Sequence, residues 1–195
     1  MKLSHVFRTT ILASTLAFGL TGYVQASNEK LTEKDAVEII RHRVNFSVGQ
    51  EAFELGDYAT ALEIWRPLAE QGNTFAQFGL GVMYHDGLGV AQDYQQTAYW
   101  WQKAARQGQV ESQYQLGVMY RDIFEDYQQA VYWYQKAAQQ GYASAKVNLG
   151  VHYLVGAGVK KDIKKARSLW QQACKQGEKK ACENLEKYKL SKKAK

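Results

Sequence analysis

The sequence predicts an all-α fold, a right-handed α-solenoid built from stacked helix-turn-helix units. Three observations carry this. Gly72, Gly108, Gly141 and Gly177 recur 36, 33 and 36 residues apart. Within that frame Leu80-Gly81, Leu116-Gly117 and Leu149-Gly150 keep one offset, and Trp65, Trp101, Tyr134 and Trp170 keep another. Inside each unit, apolar residues return at the 3, 4 and 7 spacings of a helical stripe, as in Ala76, Leu80 and Met83 and then Ala98, Trp101 and Ala105. A lone hairpin of this kind cannot bury its apolar faces, so successive units must stack into a continuous core.

Taken in order, residues 1–26 read as an export signal rather than as part of the fold. Lys2 and Arg8 give a positive start, Thr9 to Gly22 is apolar, and Val24-Gln25-Ala26 places small residues where a signal peptidase reads. The apolar run is shorter than the roughly 20 residues of a membrane span. Cleavage near Ala26 and a periplasmic or secreted location are therefore expected. Residues 27–45 are expected to form an N-terminal capping helix, entered at Thr32-Glu33-Lys34-Asp35.

The solenoid is expected over 46–190, in units of about 46–73, 74–109, 110–142 and 143–178 with a terminal helix at 179–190, followed by a basic tail at 191–195. In the first unit Leu55-Gly56-Asp57-Tyr58 joins the helices directly, and Pro67 falls inside the second helix, where it should remove a hydrogen bond and introduce a bend. The second unit has Gly87 and Gly89 at a helix end and Asp93 at the next N-cap. In the third unit Ile123-Phe124-Glu125 replaces the Gly-x-Gly-Val piece, which predicts a tighter connection.

Charge is divided along the chain. Ser27 to Tyr142 holds 9 Lys and Arg against 15 Asp and Glu, and Ala143 to Lys195 holds 14 against 4. The basic end, with Lys160, Lys161, Lys164, Lys165, Arg167, Lys175, Lys179 and Lys180, suits either a solvated face or contact with an anionic surface. Nucleic acid is not an expected partner for an exported chain, and no segment reads as an integral membrane span.

The recurring A-x-x-x-L-G-x-M-Y, G-x-G-V and W-x-x-A-A-x-Q-G pieces resemble Sel-like repeats, relatives of the tetratricopeptide class, over Phe46 to about Leu185. The resemblance implies a non-enzymatic scaffold or adaptor that binds another protein or peptide. Some cysteine-rich Sel-like proteins are credited with β-lactam binding or hydrolysis, so a cell-wall hydrolase is the alternative. No residues for that chemistry are found. Ser27-Asn28-Glu29-Lys30 matches S-x-x-K without its companion motifs, and the histidines at 5, 42, 85 and 152 lack metal-ligand spacing. No catalytic residue, metal or cofactor is expected.

On the first helix of each unit a second stripe lies nearly opposite Ala76, Leu80 and Met83. It consists of Phe78, Val82 and His85, then Tyr114, Val118 and Arg121, then Val147, Val151 and Leu154. It is either packing or, because first helices line the concave side of tetratricopeptide-like solenoids, a groove for a partner. Tyr99-Trp100 and Tyr132-Trp133 lean toward packing, with Trp100 and Trp133 as the partners open to partial exposure. The repeat period places Cys174 at the end of a second helix and Cys182 at the start of the next first helix, with Gly177 between them. In an oxidising compartment a disulfide is the expected state, and the spacing resembles the internal bridge of the cysteine-rich Sel-like branch.

Overall fold

The computed structural model describes residues 45–193. The expected signal segment and almost all of the expected capping helix lie outside the described residues. Nine helices and no strands are present among those residues: α1 (45–55), α2 (Tyr58–Glu70), α3 (Thr74–Asp86), α4 (Tyr94–Arg106), α5 (Val110–Asp122), α6 (Tyr127–Gln139), α7 (Ala143–Val155), α8 (Ile163–Lys175) and α9 (Lys179–Lys193). Consecutive helices pack as antiparallel pairs, giving an all-α repeat solenoid. The chain forms two compact units, one ending at Ala104 and one beginning at Ala105, a boundary inside α4.

One packing device recurs in the helix pairs. A ring from the second helix lies against the first, and where the ring is an indole its N–H donates to a main-chain carbonyl there. In the first unit Trp65 donates to the Phe46 carbonyl at 3.3 Å and Trp101 to the Phe78 carbonyl at 3.2 Å. In the second unit Trp170 donates to the Val147 carbonyl at 3.0 Å. Three residues after each acceptor stands a glycine, Gly49, Gly81 or Gly150, whose missing Cβ makes room for the ring. Gly117 serves Tyr134 in the same way, but a phenol has no ring N–H to reproduce the indole bond.

Helix starts follow the expected capping chemistry. Asp57, Asn73, Asp93, Asp126 and Asp162 each accept from a main-chain N–H in the following turn, at 2.9–3.1 Å. The connections between paired helices close on a shared bond despite their different lengths. Asp162 donates its N–H to the Tyr153 carbonyl at 2.8 Å over the long loop, and Asp126 to the Tyr120 carbonyl at 2.8 Å over the short one. The short loop manages this with Glu125 at φ 53°, the single non-glycine residue with positive φ among the described residues. In the long loop Gly158 has φ 69°, and a Cβ there would lie 2.2 Å from the Tyr127 carbonyl oxygen, so a close main-chain approach as well as the turn requires glycine.

Pro67 lies inside helix α2, which runs on to Glu70. One boundary differs from expectation. Helix α9 continues to Lys193 instead of ending at 190, because no glycine or proline interrupts it.

Candidate interaction surface

The structure places the predicted stripe mainly at the seam between the two helices of each repeat. Phe78 is 1% exposed and stacks on Trp101 with ring centroids 6.1 Å apart. Val82 is fully buried, and the His85 ring stacks on Trp101 at 5.6 Å with Nδ1 2.7 Å from the Asp86 carboxylate. In the second unit Tyr114 packs against Tyr134, Val147 is buried under Trp170, and Leu154 joins the same cluster. Phe78, Val82 and Val147 are therefore core residues and not groove residues. The glycine device explains this, since it draws the rings of the second helix onto that arc of the first.

The accessible line runs about 60° further round the first helix, at about 100° per residue. On α7 it comprises Ser144, Asn148, Val151 and Val155, with Val151 41% and Val155 60% exposed. Glu111, Val118 and Asp122 hold the corresponding places on α5. Tyr114, Val118, Arg121 and Val151 from the predicted set remain accessible at or beside this line. On the second helices the expected exposure is reversed: Trp100 and Trp133 are buried, while Tyr99 and Tyr132 are about half exposed.

Polar groups in the second unit converge beside this line. The Arg121 guanidinium donates twice to the Asp122 carboxylate, at 2.5 and 2.6 Å, and that pairing holds Asp122 below the usual carboxylate range. The Asn148 amide approaches both the Tyr114 and Tyr134 phenols. Burial raises Tyr114, and it pushes Tyr142 up to about 12 with help from the Glu111 and Glu178 charges. Burial likewise raises the Glu111 carboxyl.

His152 has a structural role. It is 4% exposed, and Nδ1 lies 2.9 Å from the Ala157 carbonyl oxygen. Burial first and then Arg121 lower its pKa from 6.5. The unfolded chain therefore binds the proton more readily than the folded one, so stability should fall as pH drops below about 6.5 toward the lower folded value. The melting temperature should decrease over that window, and His152→Gln, which keeps a hydrogen-bonding side chain, should flatten the decrease. An unchanged slope in the variant would remove His152 as its source.

The sequence pattern concealed one polar ladder. The glutamine before each repeat-closing glycine reads in the sequence only as part of the W-x-x-A-A-x-Q-G piece, yet in the second unit it ties repeats together. Gln140 donates to the Gly108 carbonyl at 2.9 Å and to the Gln113 amide oxygen at 2.8 Å, and Gln176 donates to the Gly141 carbonyl at 3.1 Å. The recurrence of Q-G at each closure was the available signal. Cys174 and Cys182 form a disulfide across the Gly177 turn, with Cα atoms 5.0 Å apart. Among the described residues no cluster of three metal-binding side chains occurs, and no helix is long and apolar enough to cross a membrane.

Comparison with known proteins agrees with this architecture. The Sel1 repeat model matches residues 74–109, 110–142 and 143–178. A protective antigen of uropathogenic Escherichia coli displaying an SLR fold is 32% identical, with a TM-score of 0.70 over 74% of this chain and 32% of its own. A Sel1 repeat protein from Oxalobacter formigenes is 31% identical, with a TM-score of 0.67 over 72% of this chain and 59% of its own. This chain thus spans about a third of the first relative and three fifths of the second. Cysteine rich protein B of Helicobacter pylori shares the fold at 22% identity, with a TM-score of 0.52 over 66% of this chain and 95% of its own. The curated proteins contain no significant match. With three consecutive repeats covering more than half of its length, the chain belongs to the Sel1 repeat family.

Proposed function

We propose that this protein is a non-enzymatic scaffold of the cell envelope that holds a partner protein along the accessible line of its first helices. The observation that carries the reading is the row Ser144, Asn148, Val151 and Val155 on α7. It sets two exposed valines among small polar groups on a helix whose other faces are committed to packing. Such a surface offers apolar contact toward the C-terminal end of α7 and hydrogen bonding toward its N-terminal end, a composition suited to a peptide. The export-like segment at 1–26 and the Cys174–Cys182 bridge support an envelope location. Exposed Lys160, Lys161, Lys164 and Lys165 favour an additional contact with an anionic surface.

The test is affinity capture from the native envelope fraction with the wild type and a Val151→Asp/Val155→Asp variant. Capture of a defined partner should be lost in the variant, with the melting temperature within about 2 °C of wild type because both side chains are solvent-facing. Equal capture by the two proteins would reject this face.

A further inference from the structure

We propose that the α7–α8 loop, the outer line of α8 and the start of α9 form a peripheral docking face for the headgroups of an anionic lipid bilayer. The inference rests on the envelope reading above and names the anionic surface. Residues 156–180 hold eight Lys and Arg against two acidic residues, Asp162 and Glu178. The seven lysines are all exposed and Arg167 is partly so. Neutral groups occupy both carboxylates. Asp162 accepts from the Lys165 main-chain N–H at 3.0 Å as the α8 cap, and Glu178 from the Ser144 hydroxyl at 3.1 Å. No ion pair joins any of the eight cations to a carboxylate among the described residues. Two of them are ordered by rings instead, with Lys165 Nζ 5.3 Å from the Tyr153 ring centroid and Arg167 Cζ 5.5 Å from that of Tyr188. A ring steadies the stem and leaves the charge unneutralised.

The fold gathers these charges on one side. Helix α8 buries Ala166, Trp170 and Ala173. At about 100° per residue, Lys164, Ser168, Gln171 and Lys175 stand opposite that stripe, and all four are exposed. Past the turn, the Cys174–Cys182 bridge ties the start of α9, with Lys179 and Lys180, to the end of α8, the two Cα atoms lying 5.0 Å apart. The chemistry of the face then selects its occupant. No large apolar side chain from 156 to 188 is exposed, so the face lacks the aromatic or apolar anchor of a protein interface, and such interfaces are depleted in lysine. A single phosphate or carboxylate calls for converging donors, best supplied by arginine forks, whereas these are point charges on flexible stems spread over a loop and two helices. Spread, unpaired lysines match the diffuse charge of a bilayer surface, where each adds to the attraction without a fixed geometry. Lacking an apolar wedge, the contact stays at headgroup depth.

The test is co-sedimentation of the full chain with vesicles of equal parts phosphatidylglycerol and phosphatidylcholine. Vesicles of phosphatidylcholine alone control for the apolar run from Thr9 to Gly22. The wild type should bind the anionic vesicles and be released when salt rises from about 0.05 to about 0.5 M, which shortens the screening length roughly threefold. Lys160→Gln/Lys161→Gln/Lys164→Gln/Lys175→Gln should weaken binding by at least about tenfold. Its melting temperature should stay within about 2 °C of wild type, because all four side chains face solvent. Arg66→Gln/Lys103→Gln/Arg106→Gln/Lys136→Gln removes the same charge from α2, α4 and α6 and should bind within about threefold of wild type. Equal weakening by the two variants would reduce the effect to net charge and overturn the proposal. No binding to anionic vesicles, or equal binding to both kinds, would overturn it too. Self-association lost with the four lysines would overturn it by making a second copy the occupant, and lysine-dependent capture of an acidic protein without vesicle binding would do so in favour of a protein. The scaffold reading fails separately, on capture that does not depend on Val151 and Val155, because those side chains belong to α7 and not to this face.

Discussion

Gly150→Ala should destabilise the protein by about 2–3 kcal/mol, although the same exchange in an exposed helix interior ordinarily stabilises by about 1 kcal/mol. A Cβ at Gly150 would sit 2.4 Å from Trp170 Nε1, 2.8 Å from Cδ1 and 2.9 Å from Cε2. The ring has little room to retreat. Trp170 is 2% exposed, and its N–H is held by the Val147 carbonyl at 3.0 Å. Accommodating one methyl group means breaking that bond or prising α7 from α8. The midpoint should fall by about 5–10 °C.

A double-mutant cycle isolates the cause. Trp170→Ala alone should cost about 3–5 kcal/mol through the cavity it leaves. Once the ring is gone, adding Gly150→Ala should become neutral or favourable, because the collision has been removed and the propensity gain remains. Urea unfolding of the four proteins gives the coupling energy directly. A stabilising Gly150→Ala in the wild-type background would show that the ring and helix do not need the glycine. A Cβ added at Gly81 would collide with the Trp101 ring and one at Gly117 with the Tyr134 ring, so both exchanges should respond with the same sign.

That seam also explains which parts of the molecule the sequence made legible. Repeat closure, helix order and cap positions follow from local chemistry. Gly87 ends α3 with a left-handed residue and Asp162 starts α8 with a cap bond, and both are recognisable from residue type alone. The orientation of the first helix about its own axis is different, because it depends on which neighbours compete for each arc. Opposition to Ala76, Leu80 and Met83 leaves the second stripe open between packing and a groove, whereas the helix is packed on two sides and its open arc lies between them. The L-G pairs already held the decisive hint, since a glycine locked in phase with an aromatic residue 17–20 positions later marks a ring lying on a helix.

Breaking the Cys174–Cys182 bridge should cost about 2.5 kcal/mol by loop-closure entropy, and the loss should be local. The bridge joins residues 8 apart in sequence across the turn from α8 to α9. Helix α9 buries Ala181 completely and packs Leu185 and Tyr188 against the cluster of Val147, Ala166, Trp170 and Ala173. No described element stacks on its other side, so α9 is packed on one face only. In a chain whose stability is a sum of repeat and nearest-neighbour terms, that element opens first, and the bridge acts on the step of lowest cost. Alkylation followed by intact mass should show two labelled thiols after reduction and none before it. Native-state hydrogen exchange of the Cys174→Ser/Cys182→Ser variant should then show amides of α9 losing protection by roughly 50-fold, the equivalent of about 2.4 kcal/mol, while α5 to α7 change little. Uniform loss across α5 to α9 would mean that the second unit opens as one cooperative block and that the bridge stabilises all of it.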